Sequence, residues 1–178
     1  MQLVIDLPPR DEQIAFNRRR WRDACANPQL AKWPGKVETN AHGNILMSPP
    51  PSGIHSSRQG EITFLLRSTL GGHALPECPV STINGVRSAD VGWYSAARFA
   101  QVKDQPAFEV APEICVEILS PSNTPSEMRE KRQLYFEAGA REVWICSEDG
   151  SLRFFTSASA AKPASTSLLC PDFPGQVP

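Results

Sequence analysis

The sequence predicts a mixed α/β or α+β fold, with a mixed central β-sheet flanked by helices. Three observations predict it. The run "EICVEILSP" (113–121) is apolar on both of its alternating faces, as in a strand covered on both sides. It is followed at once by a strongly signalled helix. Thr124 is a good N-cap, Pro125 suits the first helical position, Glu127 completes a T-x-x-E capping box and Gly139 ends the helix, which places it at 125–138. Finally, the order of elements along the chain (helix, hairpin, helix, three strands, helix, two strands) suits one sheet with helical cover.

Each element has its own signal. Asp11 can cap a first helix, "EQIAFNRRRWRDACAN", which Pro28 stops; Ile14, Trp21 and Cys25 fall on one stripe. The arginines around that stripe, "RRRWR", read better as a solvated face than as a phosphate site. "KVETN" and "NILMSPP" read as a hairpin turning at His42-Gly43. "HSSRQGEITFLLRSTLGG" carries Ile62, Leu65, Leu66 and Thr69/Leu70 on one helical face, and Gly71-Gly72 end it. Strands follow at "PVSTI", "VRSADVGWYS", 113–120, "REVWICS" and "SLRFFTS", with a helical or looped piece at "SAARFAQVKDQP". From Ser157 the chain turns rich in Ser, Ala and Pro. The expected organisation is one domain over 1–156 and a loosely packed tail over 157–178.

The bulk composition narrows the function. At 178 residues, with 40% hydrophobic and 21% charged residues, the chain reads as one soluble globular domain. A net charge of −1 gives no overall electrostatic case for nucleic acid, though it allows a local basic groove. Five scattered cysteines with no C-x-x-C pair argue against a zinc site and against a disulfide scaffold. No signal peptide and no membrane-spanning stretch is read, so the expected compartment is the cytoplasm and no membrane partner is expected.

Chemistry is suggested by Glu117, an acid in the middle of the most apolar strand. A buried carboxylate is costly unless it is neutralised or paired. Companions exist in Asp90 ("RSADVGW") and Glu38 ("KVETN"), both on strand-like runs. Lys131 shares a helix stripe with Met128 and Tyr135, which carries it inward if they pack inward. Carboxylates that converge repel one another unless a cation compensates, and hard oxygen ligands suit Mg²⁺ or Mn²⁺. Such an ion activates water and neutralises a phosphoryl group, so the chemistry that fits is metal-dependent phosphodiester cleavage. Each residue also has a plainer reading. Glu117 could form a buried ion pair with Lys131, Asp90 could bond turn amides, Glu38 and Lys131 could be solvated, and His55 could be a cap or a surface residue.

Taken together, "NILMSPPPSGIHSS", "RSADVGWYS" and "PEICVEILSPSNTPSEMREKRQLYFEAGAREVWIC" resemble the Uma2 (DUF820) family of restriction-endonuclease-like proteins of the PD-(D/E)XK fold, over roughly residues 10 to 156. The resemblance implies a nuclease, a hydrolase whose partner is nucleic acid, DNA foremost. It implies Asp90 and Glu117 as catalytic metal ligands for Mg²⁺ or Mn²⁺, with Glu38 as the upstream acid that joins them. The position two residues after Glu117, where the motif lysine normally stands, is Leu119; the resemblance moves that role to Lys131 on the following helix. Ala89 stands where the family has proline, and Ser147 where it often has aspartate. A homodimer is compatible with the fold. Two rivals stay open: a catalytically silent binding or assembly module on the same fold, and a hydrolase of a non-nucleic substrate. Acids held more than about 8 Å apart, or a Glu117 salt-bridged and closed to solvent, would favour the silent module.

Overall fold

The structure, a computed structural model, describes residues 9–178. Four helices, α1 (Arg10–Ala26), α2 (Gly53–Leu70), α3 (Ala96–Val102) and α4 (Pro125–Glu137), surround seven strands. The strands are β1 (Val37–Thr39), β2 (Ile45–Met47), β3 (His73–Thr82), β4 (Gly85–Tyr94), β5 (Ile114–Ile118), β6 (Glu142–Cys146) and β7 (Leu152–Phe155). β1 and β2 form the expected hairpin. The other five make one mixed sheet in the order β3-β4-β5-β6-β7, antiparallel throughout except for the β5–β6 pair. α4 lies in the crossover that the parallel pairing of β5 and β6 requires. No helix among the described residues is long and apolar enough to cross a membrane.

β5 is buried along its whole length, as its two apolar faces require. Ile114, Val116 and Ile118 meet Ile62 and Leu66 of α2, together with Trp144 and Phe154. On the other face Cys115 packs with Tyr135 and Ala138, beside Tyr94, Val143 and Phe155. The sheet is therefore a middle layer, with α2 on one side and α3 and α4 on the other. α4 begins as read: Thr124 Oγ1 accepts the Glu127 amide at 3.2 Å, and the Glu127 carboxylate accepts the Thr124 amide at 3.4 Å.

Three expectations about single elements are corrected. The stripe Ile14–Trp21–Cys25 does not bury; α1 buries Gln13, Asn17 and Ala24. Polar contacts decide its orientation. Asn17 Nδ2 donates to Ser81 Oγ at 2.9 Å and Thr82 O at 2.8 Å, and Gln13 Nε2 donates to Ala41 O at 3.1 Å. Pro9, not Asp11, occupies the N-cap, without a side-chain bond. β3 starts six residues before "PVSTI", because Pro76 and Pro79 are tolerated on an edge strand.

The segment 157–178 does not pack loosely. Cys170, Phe173 and Val177 are buried with Trp144 and Phe154 in the α2-side core. Its anchor is Glu142, 1% exposed, whose carboxylate accepts from Trp144 Nε1, Ser167 Oγ and the amides of Leu168 and Leu169, all at 2.7–2.8 Å. Four neutral donors satisfy this buried acid without a cation. Arg58 of α2 adds a second tie, donating to Ser147 O, Glu148 O and Pro178 O.

Candidate active site

Strand register builds the centre of the site. Val91 of β4 faces Val116 of β5, so one step further along the antiparallel ladder Asp90 falls opposite Glu117. The regular pairing stops there, and Asp90 Oδ2 accepts the Ile118 amide at 2.6 Å. Both acids are buried, at 2% and 3% exposure. The same step taken toward β3 sets Glu77 opposite Asp90, between the pairs Pro76–Val91 and Cys78–Ala89. Glu77 is the one non-glycine residue of the described chain with a positive φ, 50°. Three consecutive strands thus present Glu77, Asp90 and Glu117 at one level of the sheet.

The cations arrive from other elements. Lys131 is carried inward with Tyr135 by the helical stripe of α4. Its Nζ lies 3.2 Å from Glu117 Oε2 and 3.1 Å from Glu38 Oε1, and Tyr135 Oη donates to Glu117 Oε1 at 2.6 Å. The structure therefore joins Glu38, Glu117 and Lys131 directly, while Asp90 lies across the ladder from Glu117. Glu38 is less free than a dedicated ligand would be. Its Oε1 also accepts the Ser88 amide at 2.8 Å and its Oε2 lies 3.9 Å from Arg87 Nη1. With Thr39 Oγ1 accepting the Val86 amide, Glu38 stitches the hairpin to β4 beyond the reach of β5.

Sequence reasoning missed Lys36 and Glu77 and left His55 undecided. Lys36 Nζ bonds Asp90 Oδ1, donates to Ser88 O at 3.1 Å and lies 3.7 Å from Glu77 Oε2. His55, three residues past the Ser52 cap of α2, brings Nε2 to 3.3 Å from Asp90 Oδ2. Gln59, one turn on, donates to Glu77 Oε1 at 2.8 Å and to Asp90 O at 2.7 Å. A signal for Lys36 was present: it shares the short strand-like run with Glu38, two residues away.

Electrostatics separate the two central acids. Burial pushes the Glu117 carboxyl up to about 7, raised further by the neighbouring Asp90 and Glu38 charges and opposed by Lys131 and Lys36. Burial would also raise Asp90, but the Lys36 ammonium and the hydrogen bond from His55 hold it well below the usual carboxylate range. The hydrogen bond to Asp90 raises His55. Lys131, despite burial, is held charged by Glu117 and Glu38. Two facing carboxylates that differ this way are suited to act differently in one reaction.

The oxygen donors fit a hard divalent ion in part. Asp90 and Glu117 supply two carboxylates on facing strands: Asp90 Oδ1 and both Glu117 oxygens keep a second lone pair beyond the present donor, while Asp90 Oδ2 is filled by the Ile118 amide and His55, and Mg²⁺ is commonly held by one or two carboxylates plus water. Glu38 is turned toward Lys131, Ser88 and Arg87. Among the described residues, no group of three or more His, Cys, Asp or Glu side chains is arranged to hold a metal. The fit is thus for the Asp90–Glu117 pair, with Glu38 joined to it by the Lys131 ammonium.

A mixed sheet with a buried acid pair and an inward lysine defines the class, a restriction-endonuclease-like fold. The family model for Uma2, described as "Putative restriction endonuclease", matches residues 28–176, and the chain belongs to that family. A solved relative is the crystal structure of "a putative nuclease belonging to DUF820" from Anabaena variabilis, 19% identical, covering 68% of this chain and 72% of its own, with a TM-score of 0.59. That likeness supports the fold. No curated protein matches. The family match runs through the C-terminal segment, in keeping with its packing into the core.

Proposed function

We propose that the chain is a divalent-metal-dependent nuclease that hydrolyses phosphodiester bonds of DNA. The observation that carries this reading is Asp90 facing Glu117 across β4 and β5, with Lys131 Nζ 3.2 Å from Glu117. Asp90 and Glu117 would hold Mg²⁺ or Mn²⁺. When bound, the ion would supply charge neutralisation at the phosphoryl oxygens and an acidified water. Lys131 orients that water or offsets negative charge as it develops on the phosphate, and Glu38 fixes Lys131 in place. Tyr135 sets the rotamer of Glu117 through its 2.6 Å hydrogen bond.

One observation favours a second reading, a catalytically silent module on the same fold. Glu117 is ion-paired and nearly closed to solvent. Incubation of the purified protein with plasmid and Mg²⁺ or Mn²⁺ separates the two. The nuclease reading expects nicking that Glu117→Gln and Lys131→Met each reduce by at least 100-fold, a size common for loss of one electrostatic group in an active site. Cleavage that is absent, or indifferent to Glu117, leaves the binding or assembly module.

A further inference from the structure

Lys36 is not used by the reaction just outlined, yet it makes the closest contact to Asp90. Its ammonium is ringed by oxygen: Asp90 Oδ1, Ser88 O at 3.1 Å and Glu77 Oε2 at 3.7 Å. The other Asp90 oxygen already serves the Ile118 amide and His55. An ion that reaches Asp90 through Oδ1 meets Lys36 there. Two cations at contact distance in a buried site repel strongly, so the two compete for that oxygen.

We infer that Lys36 is the exchangeable cation of the site: a divalent ion gains Asp90 by displacing the Lys36 ammonium, which withdraws to Glu77. This rests on the metal-dependent reading above. Two features support the withdrawal. The Lys36 side chain is 16% exposed, against 8% for Lys131, so it lies nearer to solvent. Glu77 is 45% exposed and Gln59 fixes one of its oxygens, leaving the other directed at Lys36. Its backbone at φ 50° is a conformation that non-glycine residues adopt at a cost, which fits a side chain aimed for a purpose. Lys131 is bound from two sides by Glu38 and Glu117, and stays.

Two measurements test the exchange without reference to cleavage. Mn²⁺ binding, read from the paramagnetic resonance signal of the free ion, should tighten in Lys36→Gln by about tenfold, the equivalent of ~1.4 kcal/mol. Glu77→Gln, which removes the receiving carboxylate, should weaken binding, and should have no effect once Lys36 is Gln. In the wild-type protein, Mg²⁺ should raise the labelling of Lys36 by an amine-reactive ester, read by mass spectrometry, and leave Lys131 unchanged. Equal or weaker Mn²⁺ binding by Lys36→Gln, or Lys36 labelling indifferent to Mg²⁺, overturns the exchange while leaving a metal nuclease intact. No Mn²⁺ binding by either protein overturns both.

Discussion

Asp90 Oδ2 accepts the backbone amide of Ile118 at 2.6 Å, so a side chain of β4 closes the gap where β4 and β5 stop pairing. The acid is part of the sheet as well as of the site. Asp90→Ala would strand that buried amide and leave Lys36 and His55 without their counter-charge. The expected cost is about 3 kcal/mol in urea unfolding, within the range for breaking one partner of a buried charged pair. Asp90→Asn, which keeps an oxygen for the amide, should recover part of that stability and none of the cleavage. Equal stability of the two variants would show that the amide contact is idle.

Tyr135→Phe removes only the hydroxyl that donates to Glu117 Oε1. A hydrogen bond to a charged or partly charged acceptor is worth roughly 1.5–3 kcal/mol, and the fold should lose about that much. Cleavage should fall more than metal affinity, because Glu117 stays present but loses its fixed orientation. Kinetics across Mn²⁺ concentrations would read the split; a pure affinity loss would contradict a positioning role.

The site predicts the sign of a pH dependence for the chelator-treated protein. Glu117 is raised from 4.5 to about 7, so its protonated form favours the fold; that stability is fully present below pH 4.5 and is lost as pH rises through about 7. His55 is raised above 6.5 and loses its contribution in the same direction as pH climbs through its raised value. Asp90 is lowered from 3.8, so its contribution is lost only in acid below that value. Thermal unfolding from pH 5 to 8 should therefore show a falling Tm, and a shallower fall in Glu117→Gln. A rising Tm, or one whose slope ignores Glu117, would show that Lys131 keeps the acid ionised throughout.

Removal of 157–178 should unfold the domain rather than trim it. Phe173 packs edge-on to Trp144 with ring centroids 4.7 Å apart, and Phe173→Ala alone should cost about 3–5 kcal/mol. Glu142→Ala should act on the same contact from below, by leaving four donors unpaired. Circular dichroism melts of the truncated and full chains decide it; a cooperative, undiminished transition without the segment would return it to the status of a tail.

What the sequence made legible follows from local periodicity. Glu117 stands out by alternation on β5, and Lys131 and Tyr135 by helical spacing on α4, so their meeting could be anticipated across one short turn. The convergence of Lys36, His55 and Glu77 on Asp90 depends on how the hairpin, the start of α2 and β3 dock, over 13 to 54 residues of separation. No local pattern reports that. α1 was misread because hydrogen bonds from Gln13 and Asn17, and not apolar area, choose its inner face. The C-terminal segment was misread because Cys170, Phe173 and Val177 bury from an irregular chain with neither a two-residue nor a 3.6-residue repeat.

Lys131 touches Glu117 in the sheet and Glu38 in the hairpin with the same ammonium. The hairpin cannot lift from β4 without stripping that lysine of one of its two counter-charges and exposing the Ser88 amide. Opening of β1 and disassembly of the site are therefore a single cooperative event. The amides of Val86 and Ser88, which donate to the Thr39 and Glu38 side chains, should therefore exchange with solvent only when the hairpin lifts, and their exchange rate is a clock for how long the site persists between openings.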